Sequence, residues 1–283
     1  MPSQRGGGPP YLVVRRVWAW NLEYEFSIIA SLVDRFSYVA FDTEFPGLLY
    51  STGRPHRLPR PACGTPSSRP TSTRWSSSNS ASPLRRLRPP PRHRHRRRGR
   101  VRVGVQLPGI RRPTRPHAPD SIDLLRSSGI DFDRLPRFGI DSGDFAALLC
   151  RSGLVAHCRF CRPLSARWIA FHGCYDFAYL IKVLGNGTPL PDTLEEFLGL
   201  VNLLFGETVD LKYMMFGCEG LSGGLESVAS TLGVPRQAGK SHQAGSDSLV
   251  TYQVYLKMKR RFFNDRDATV ARHRGIIYGL HAC

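Results

Sequence analysis

Two carboxylates one residue apart, Asp42 and Glu44, close the run SYVAFDTEFPG at residues 37–47. Side chains alternate along a strand, so Tyr38, Ala40, Asp42 and Glu44 face one way and Val39, Phe41 and Thr43 the other. Both acids then project to the same side at the end of an apolar strand. There they repel each other and are costly to desolvate, and a bound cation reverses both penalties. Further acids stand at two other places: Asp176 in the first turn of a helix that follows a strand, and Asp247 at the start of a helix, five residues after His242. Strand ends that meet helix starts are where sites form in α/β sheets. Converging there, Asp42, Glu44, Asp176 and Asp247 make a cage of hard oxygen ligands for two divalent ions, Mg2+ or Mn2+, with water and substrate phosphate completing the shells. Ions about 4 Å apart clamp the attacking and leaving oxygens of an in-line phosphodiester displacement. His242 brings an imidazole, the side chain suited to take the proton of the attacking water. Singly, each residue has a plainer reading: Asp176 as a helix cap, Asp247 as a complement to a helix dipole, His242 as a surface turn.

The elements that must position these groups are legible from periodicity. Leu22, Phe26, Ile29, Leu32, Val33 and Phe36 recur at helical spacing after Asn21, a residue suited to the cap, and the strand with Asp42 and Glu44 follows at once. DSIDLLRSSG and DFAALLCRSG predict two short helices closed by Gly129 and Gly153. RWIAFHGCYDFAYLIKVLG predicts a strand at Trp168 to Phe171, a turn, and a helix ending at Gly185. Thr193 with Glu196 forms a capping box before LEEFLGLVNLLF. TVDLKYMM predicts a short strand, GGLESVASTLG a helix closed by Gly233, and HQAGSDSLVTYQVYLKMKRRFF a turn followed by a long helix. Strands alternating with helices predict an α/β fold.

Composition limits the partners. The formal charge of +18 points to nucleic acid, but residues 51–119 hold 18 Arg, no Lys and no acid, and the remainder balances 22 basic against 22 acidic residues. No run of about eighteen apolar residues predicts a membrane span, and the N-terminal stretch lacks the apolar core of a secretory signal. A reducing intracellular compartment is therefore expected, with the seven Cys as free thiols. Cys158 and Cys161 with His157 form a lone CxxC, with His172 and Cys174 downstream, and lack the second spaced pair that zinc needs.

The acids and the histidine, taken together in this order, form the pattern of the DEDD exonucleases. YVAFDTEFPG, WIAFHGCYDFAYLIK, LSGGLESVA and HQAGSDSLVTYQVYLKM resemble the CAF-type deadenylases, catalytic subunits of the CCR-NOT complex, and look most like plant members. The likeness covers roughly residues 11–50 and 117–280. It implies an RNase H-like fold with a central mixed sheet flanked by helices. It further implies 3′ to 5′ removal of mRNA poly(A) tails with release of AMP, a scaffold and a partner deadenylase, roles in mRNA turnover and gene regulation, and work in nucleus and cytoplasm. Asp42, Glu44, Asp176 and Asp247 match the family's metal-binding acids, and His242, with its H-x4-D spacing to Asp247, the histidine base. Gly173 and Cys174 stand where the family usually has Ser-Gly, a change expected to be tolerated.

The larger departure is the Arg-, Pro- and Ser-rich segment 51–112, which reads as disorder. The family continues here with two further strands. Back-translated with GC-rich codons and read two bases later, residues 71–84 give VDALELVQLGLTL; residues 102–111, read one base later, give AWEFNFREFD, both strings of the family's type. The expected organisation is thus a nuclease domain at 1–50 and 113–283 interrupted by an out-of-frame segment. Loss of the two strands would make the strand with Asp42 and Glu44 an exposed edge. It also motivates a rival reading, a catalytically dead adaptor subunit of the same complex. A third, an Arg-rich arm gripping RNA phosphates, has no aromatic platform beyond Trp75.

Overall fold

The computed structural model describes residues 12–44, 102–106, 119–156 and 166–280. The Cys158–Cys161 pair, most of the Arg-rich segment and Phe45 onward in the first quoted strand run lie outside them. Five strands are described: β1 (Leu12–Arg16), β2 (Tyr38–Ala40), β3 (Arg102–Gln106), β4 (Arg167–Ala170) and β5 (Val209–Asp210). Four long helices frame them: α1 (Leu22–Val33), α5 (Cys174–Leu184), α6 (Leu194–Phe205) and α9 (Ala244–Phe262). The shorter ones are α2 (Pro119–Ser127), α3 (Leu135–Phe138), α4 (Ser142–Arg151), α7 (Leu211–Met214), α8 (Leu225–Thr231) and α10 (Asp267–Val270).

β4 is the centre. It pairs in parallel with β2 on one side and β5 on the other, so the carboxyl ends of all three strands lie along one edge. Its alternation sends Trp168 and Ala170 into a core shared with α1, α4, α5 and α6, and Ile169, fully buried, into a second core with α7, α8 and α9. A strand covered by helices on both faces is the pattern of a parallel α/β sheet. β2 obeys the same alternation: Val39 and Phe41 pack on the first core, Tyr38 and Ala40 on the second. The two faces expected from sequence are the two faces observed.

The expectation of a mixed sheet meets an all-parallel set of strand pairs among the described residues, with one antiparallel bridge, Val209 to Arg274. The strands expected to run antiparallel fall in the segment after Tyr50. Within that segment Arg102–Gln106 forms β3, paired in parallel with β1 along its whole length and lying beside α9. Disorder, the expectation for 51–112, does not describe these five residues. Among the described residues β2 is an edge of its sheet.

Local departures have physical causes. Asn21 precedes α1, but its Oδ1 accepts from the Trp18 N–H (2.7 Å) instead of capping the helix, because the chain doubles back in a 3-10 turn at Ala19–Asn21. TVDLKYMM yields two strand residues before the chain enters α7, since Asp210 accepts the Lys212 N–H (2.9 Å) and so caps that helix. Thr193 caps α6 as expected, accepting from Glu196 N–H.

Asp210 holds this end of the sheet together. Completely buried, it also accepts the N–H groups of His172 (2.9 Å), Gly173 (3.1 Å) and Tyr278 (3.2 Å). One carboxylate thereby joins β5, the turn between β4 and α5, and the C-terminal loop. Burial raises its pKa and the four N–H bonds oppose that rise. Asp210→Ala leaves those donors unpaired, and the expected loss is about 3 to 4 kcal/mol in urea unfolding; a loss under about 1 kcal/mol would refute the anchoring role.

Candidate metal centre and active site

The acids arrive from three elements. Asp42 and Glu44 extend past β2, where Phe41 N–H still bonds Ile169 C=O (3.1 Å) and holds the strand to β4. Asp176 lies in the first turn of α5, and Asp247 in the first turn of α9. Carboxylate oxygens of Asp42, Glu44 and Asp247 all lie within 4.8 Å of one another. Asp176 stands beside them and its charge raises the pKa of Asp42 and Glu44, but its Oδ1 is engaged by the Thr43 N–H (2.8 Å) and hydroxyl (2.5 Å). Thr43, the residue between the two acids, therefore locks the end of β2 to the start of α5.

His242 joins through its backbone. With φ at +60° it occupies the left-handed region, uncommon for a residue other than glycine, and its N–H donates to Asp247 Oδ2 (2.9 Å). Its side chain is exposed. His172, in the turn after β4, repeats the device with φ at +61° and its N–H on Asp210. Gly173 is required there: a Cβ would meet that of Ala170 at 2.5 Å. Cys174 packs into the first core, its thiol pushed up to about 12 by burial and by the charges of Asp210 and Asp176. The Gly-Cys pair thus fits this turn sterically.

Arg236 adds a contact that the sequence pattern does not announce. Its guanidinium lies 2.7 Å from Asp247 Oδ1, pairs with Glu226 and bonds the Ser246 hydroxyl, linking α8 to the start of α9. A lone Arg in a loop carries no spacing signal, and only the fold brings it to an acid eleven residues away.

Burial and mutual repulsion act on every acid here. Burial, then the charges of Asp176, Glu44 and Asp247, raise Asp42 well above the carboxylate range. Burial, then the charges of Asp247 and Asp176, push Glu44 up to about 7. Burial lifts Asp176 to about 6 against the bonds from Thr43, and burial raises Asp247 against Arg236 and the His242 N–H. Asp247 Oδ1, though near Arg236, receives no hydrogen bond of normal geometry. Crowded, underpaired carboxylate oxygens fit a hard divalent cation.

A parallel sheet that gathers carboxylates at its strand ends between two helical layers defines a class, the metal-dependent nucleases of RNase H-like fold. The chain belongs to the CAF1 ribonuclease family. The family model described as CAF1 family ribonuclease matches residues 145–255. The chain is 33% identical over 277 residues to "Probable CCR4-associated factor 1 homolog 10" of Arabidopsis thaliana, covering 95% of this chain and 92% of that protein. It is 32% identical over 285 residues to "Poly(A) ribonuclease pop2" of Schizosaccharomyces pombe, covering 94% and 75%. Among solved structures, S. pombe Pop2p in its Mg2+ and Mn2+ bound form superposes with a TM-score of 0.70 at 30% identity, covering 94% of this chain and 99% of that one. Yeast CAF1 co-crystallized with the NOT1 MIF4G domain shares the fold, with a TM-score of 0.62 at 24% identity over 96% and 100%.

Repulsion in the acid cluster has a sign. Carboxyls whose folded pKa is raised contribute stability that is fully present below their unfolded values near 4 and lost as pH rises through the folded ones, about 6 for Asp176 and about 7 for Glu44. Asp42→Asn removes one member of the cluster. In EDTA at pH 8 the variant is expected to melt several degrees above the parent protein, with the gap closing at pH 4, as read by thermal denaturation. Equal melting at pH 8 would show that the cluster stores no repulsion.

Proposed function

We propose that the chain is a poly(A)-specific 3′ to 5′ exoribonuclease that shortens mRNA tails and releases AMP within a CCR-NOT assembly, in mRNA turnover and gene regulation. The observation that carries this reading is the meeting of Asp42, Glu44 and Asp247, with Asp176 alongside, in a chain 32% identical to a poly(A) ribonuclease. The Mg2+ and Mn2+ of the S. pombe structure support two divalent ions as cofactors. The CCR4-associated name of the Arabidopsis relative supports association with CCR4, and a CCR-NOT scaffold and a partner deadenylase are the companions we propose with it. Nucleus and cytoplasm are where we place its work, a point that a fluorescent fusion tests. No helix among the described residues is long and apolar enough to cross a membrane.

Asp42, Glu44, Asp176 and Asp247 would hold the ions, which when bound supply the positive charge that an in-line phosphodiester displacement needs at its attacking and leaving oxygens. Thr43 and the His242 N–H fix the directions of Asp176 and Asp247. We assign the exposed His242 imidazole the proton of the attacking water, a role open to it because its backbone is already pinned to Asp247. Arg236 offsets part of the cluster's negative charge from the side of α8.

The nuclease domain we assign to residues 1–50 and 113–283 carries all these side chains, and β3 adds Arg102–Gln106 to it. One uninterrupted transcript frame encoding the Arg-rich stretch would remove the frame-shift explanation for 51–112.

The test of function is degradation of a 5′-labelled oligo(A) RNA by the purified chain in Mg2+ or Mn2+. The expected result is stepwise 3′ shortening with AMP as product, abolished by EDTA and reduced by a factor of at least about 10^3 in Asp42→Ala, the scale on which lost transition-state charge stabilisation acts. A folded chain that leaves the RNA intact would transfer the reading to the non-catalytic adaptor.

A further inference from the structure

The carboxyl edge of the sheet holds more than acids. Read across that edge, Asp42 and Glu44 follow β2, Phe171 and His172 follow β4, and Lys212 follows β5. Tyr278 is brought to the same edge by its N–H bond to Asp210. Its ring meets that of His172 edge to face at 5.0 Å and lies nearly parallel to Phe216, 5.9 Å away with 27° between the planes. The Lys212 ammonium sits 5.8 Å from the Tyr278 ring centre and 5.9 Å from that of Phe171. Phe216 is 70% exposed, so this ring cluster opens to solvent at one end.

We propose that Phe171, His172, Tyr278, Phe216 and Lys212 form a stacking track for the bases of single-stranded RNA on the 5′ side of the bond being cut, with Lys212 directed to the backbone phosphates. The proposal rests on the nuclease reading and adds the path of the nucleotides that are not yet being removed. Aromatic faces stack on any base, and a cation beside them follows the phosphates. Lys212 Nζ bonds the Gly223 carbonyl, and among the described residues no carboxylate forms an ion pair with it. The track is continuous with the acids through hydrogen bonds: Thr43 ties β2 to Asp176, and Asp210 ties the His172 turn to β5 and Tyr278. Two strand spacings, about 10 Å, separate β2 from β5, which is the reach of a few nucleotides.

The experiment is fluorescence anisotropy of the full chain in EDTA, so that no RNA is consumed, with a length series of 5′-labelled oligo(A) from the dinucleotide upward. The parent protein is expected to gain affinity as the RNA lengthens past the two terminal nucleotides. Phe216→Ala and Tyr278→Leu are expected to lose that gain, with dissociation constants for the longer RNAs raised roughly tenfold each. KM for oligo(A) in Mg2+ is expected to rise more than kcat falls. The same length dependence in both variants as in the parent overturns the track, including the case in which this surface serves a protein partner instead. The two readings separate cleanly. RNA shortened normally, with length dependence unchanged in the variants, removes the track and leaves the nuclease. RNA left intact in Mg2+, with a length step that the variants abolish, removes the nuclease and leaves the track. Thermal melting of each variant confirms that lost binding is not lost folding.

Discussion

Like charge concentrated at the carboxyl end of a short parallel sheet is the constraint that the rest of this structure answers. Asp42, Glu44 and Asp247 stand within 4.8 Å of one another, with Asp176 adjoining, in surroundings that raise the pKa of each. Left alone, such a group would splay apart or take up protons. What prevents the splaying is visible in each partner. Thr43 holds Asp176, the His242 backbone holds Asp247, and Arg236 bridges Asp247 to Glu226. The Thr43 contact joins β2 to α5 across 133 residues, while the His242 and Arg236 contacts are local and fix the start of α9 against α8, so the devices that restrain the acids also assemble the fold around them.

Asp176 and Asp210 show how environment divides roles between like residues. They are close enough for the charge of one to raise the pKa of the other. Asp210 receives four backbone N–H bonds and is completely buried, a carboxylate whose lone pairs are used by the chain itself. Asp176 receives both its bonds at one oxygen, Oδ1, from a single neighbour, Thr43. One is a structural acceptor and the other retains capacity for a ligand. Two histidines divide similarly. His172 and His242 share the left-handed backbone and the N–H to a carboxylate, but the first carboxylate is Asp210 and the second Asp247. Strained backbone of this sort persists where surrounding contacts over-determine it.

Much of this was legible beforehand, for reasons that identify where the signal lay. The alternation of Tyr38 to Glu44 encoded both faces of β2 because a strand's period is two, and the packing of Val39, Phe41, Tyr38 and Ala40 follows it. α5, α6, α8 and α9 were marked by helical spacing, a Thr cap and closing glycines. Arg236 and Asp210 were not legible. Arg236 acts from a loop through an ion pair, and Asp210 acts through N–H groups that belong to the backbone and leave no trace in side-chain identity. The cap expected at Asn21 failed for a related reason: its carboxamide chose the N–H of a 3-10 turn, a partner that exists only once the chain has turned. Strand β3 lay in a stretch whose composition argues against order, and its pairing with β1 is a tertiary contact that composition does not encode.

Charge distribution decides where affinity for a polyanion can arise. Outside residues 51–119 the basic and acidic residues balance at 22 each, so the remaining chain exerts no net long-range attraction on RNA. At the acid cluster the local field is negative and opposes an approaching phosphate. Attraction must therefore be short-range and placed beside the acids. The carboxyl edge of the sheet supplies that arrangement, with Arg236 on the side of α8 and Lys212 two strands away among aromatic rings. Stacking is insensitive to salt, whereas phosphate contacts are screened. A stacking surface at Phe171, Tyr278 and Phe216 with few cations is therefore expected to give a shallow salt dependence, in contrast to the steep one expected of binding through the eighteen arginines of residues 51–119.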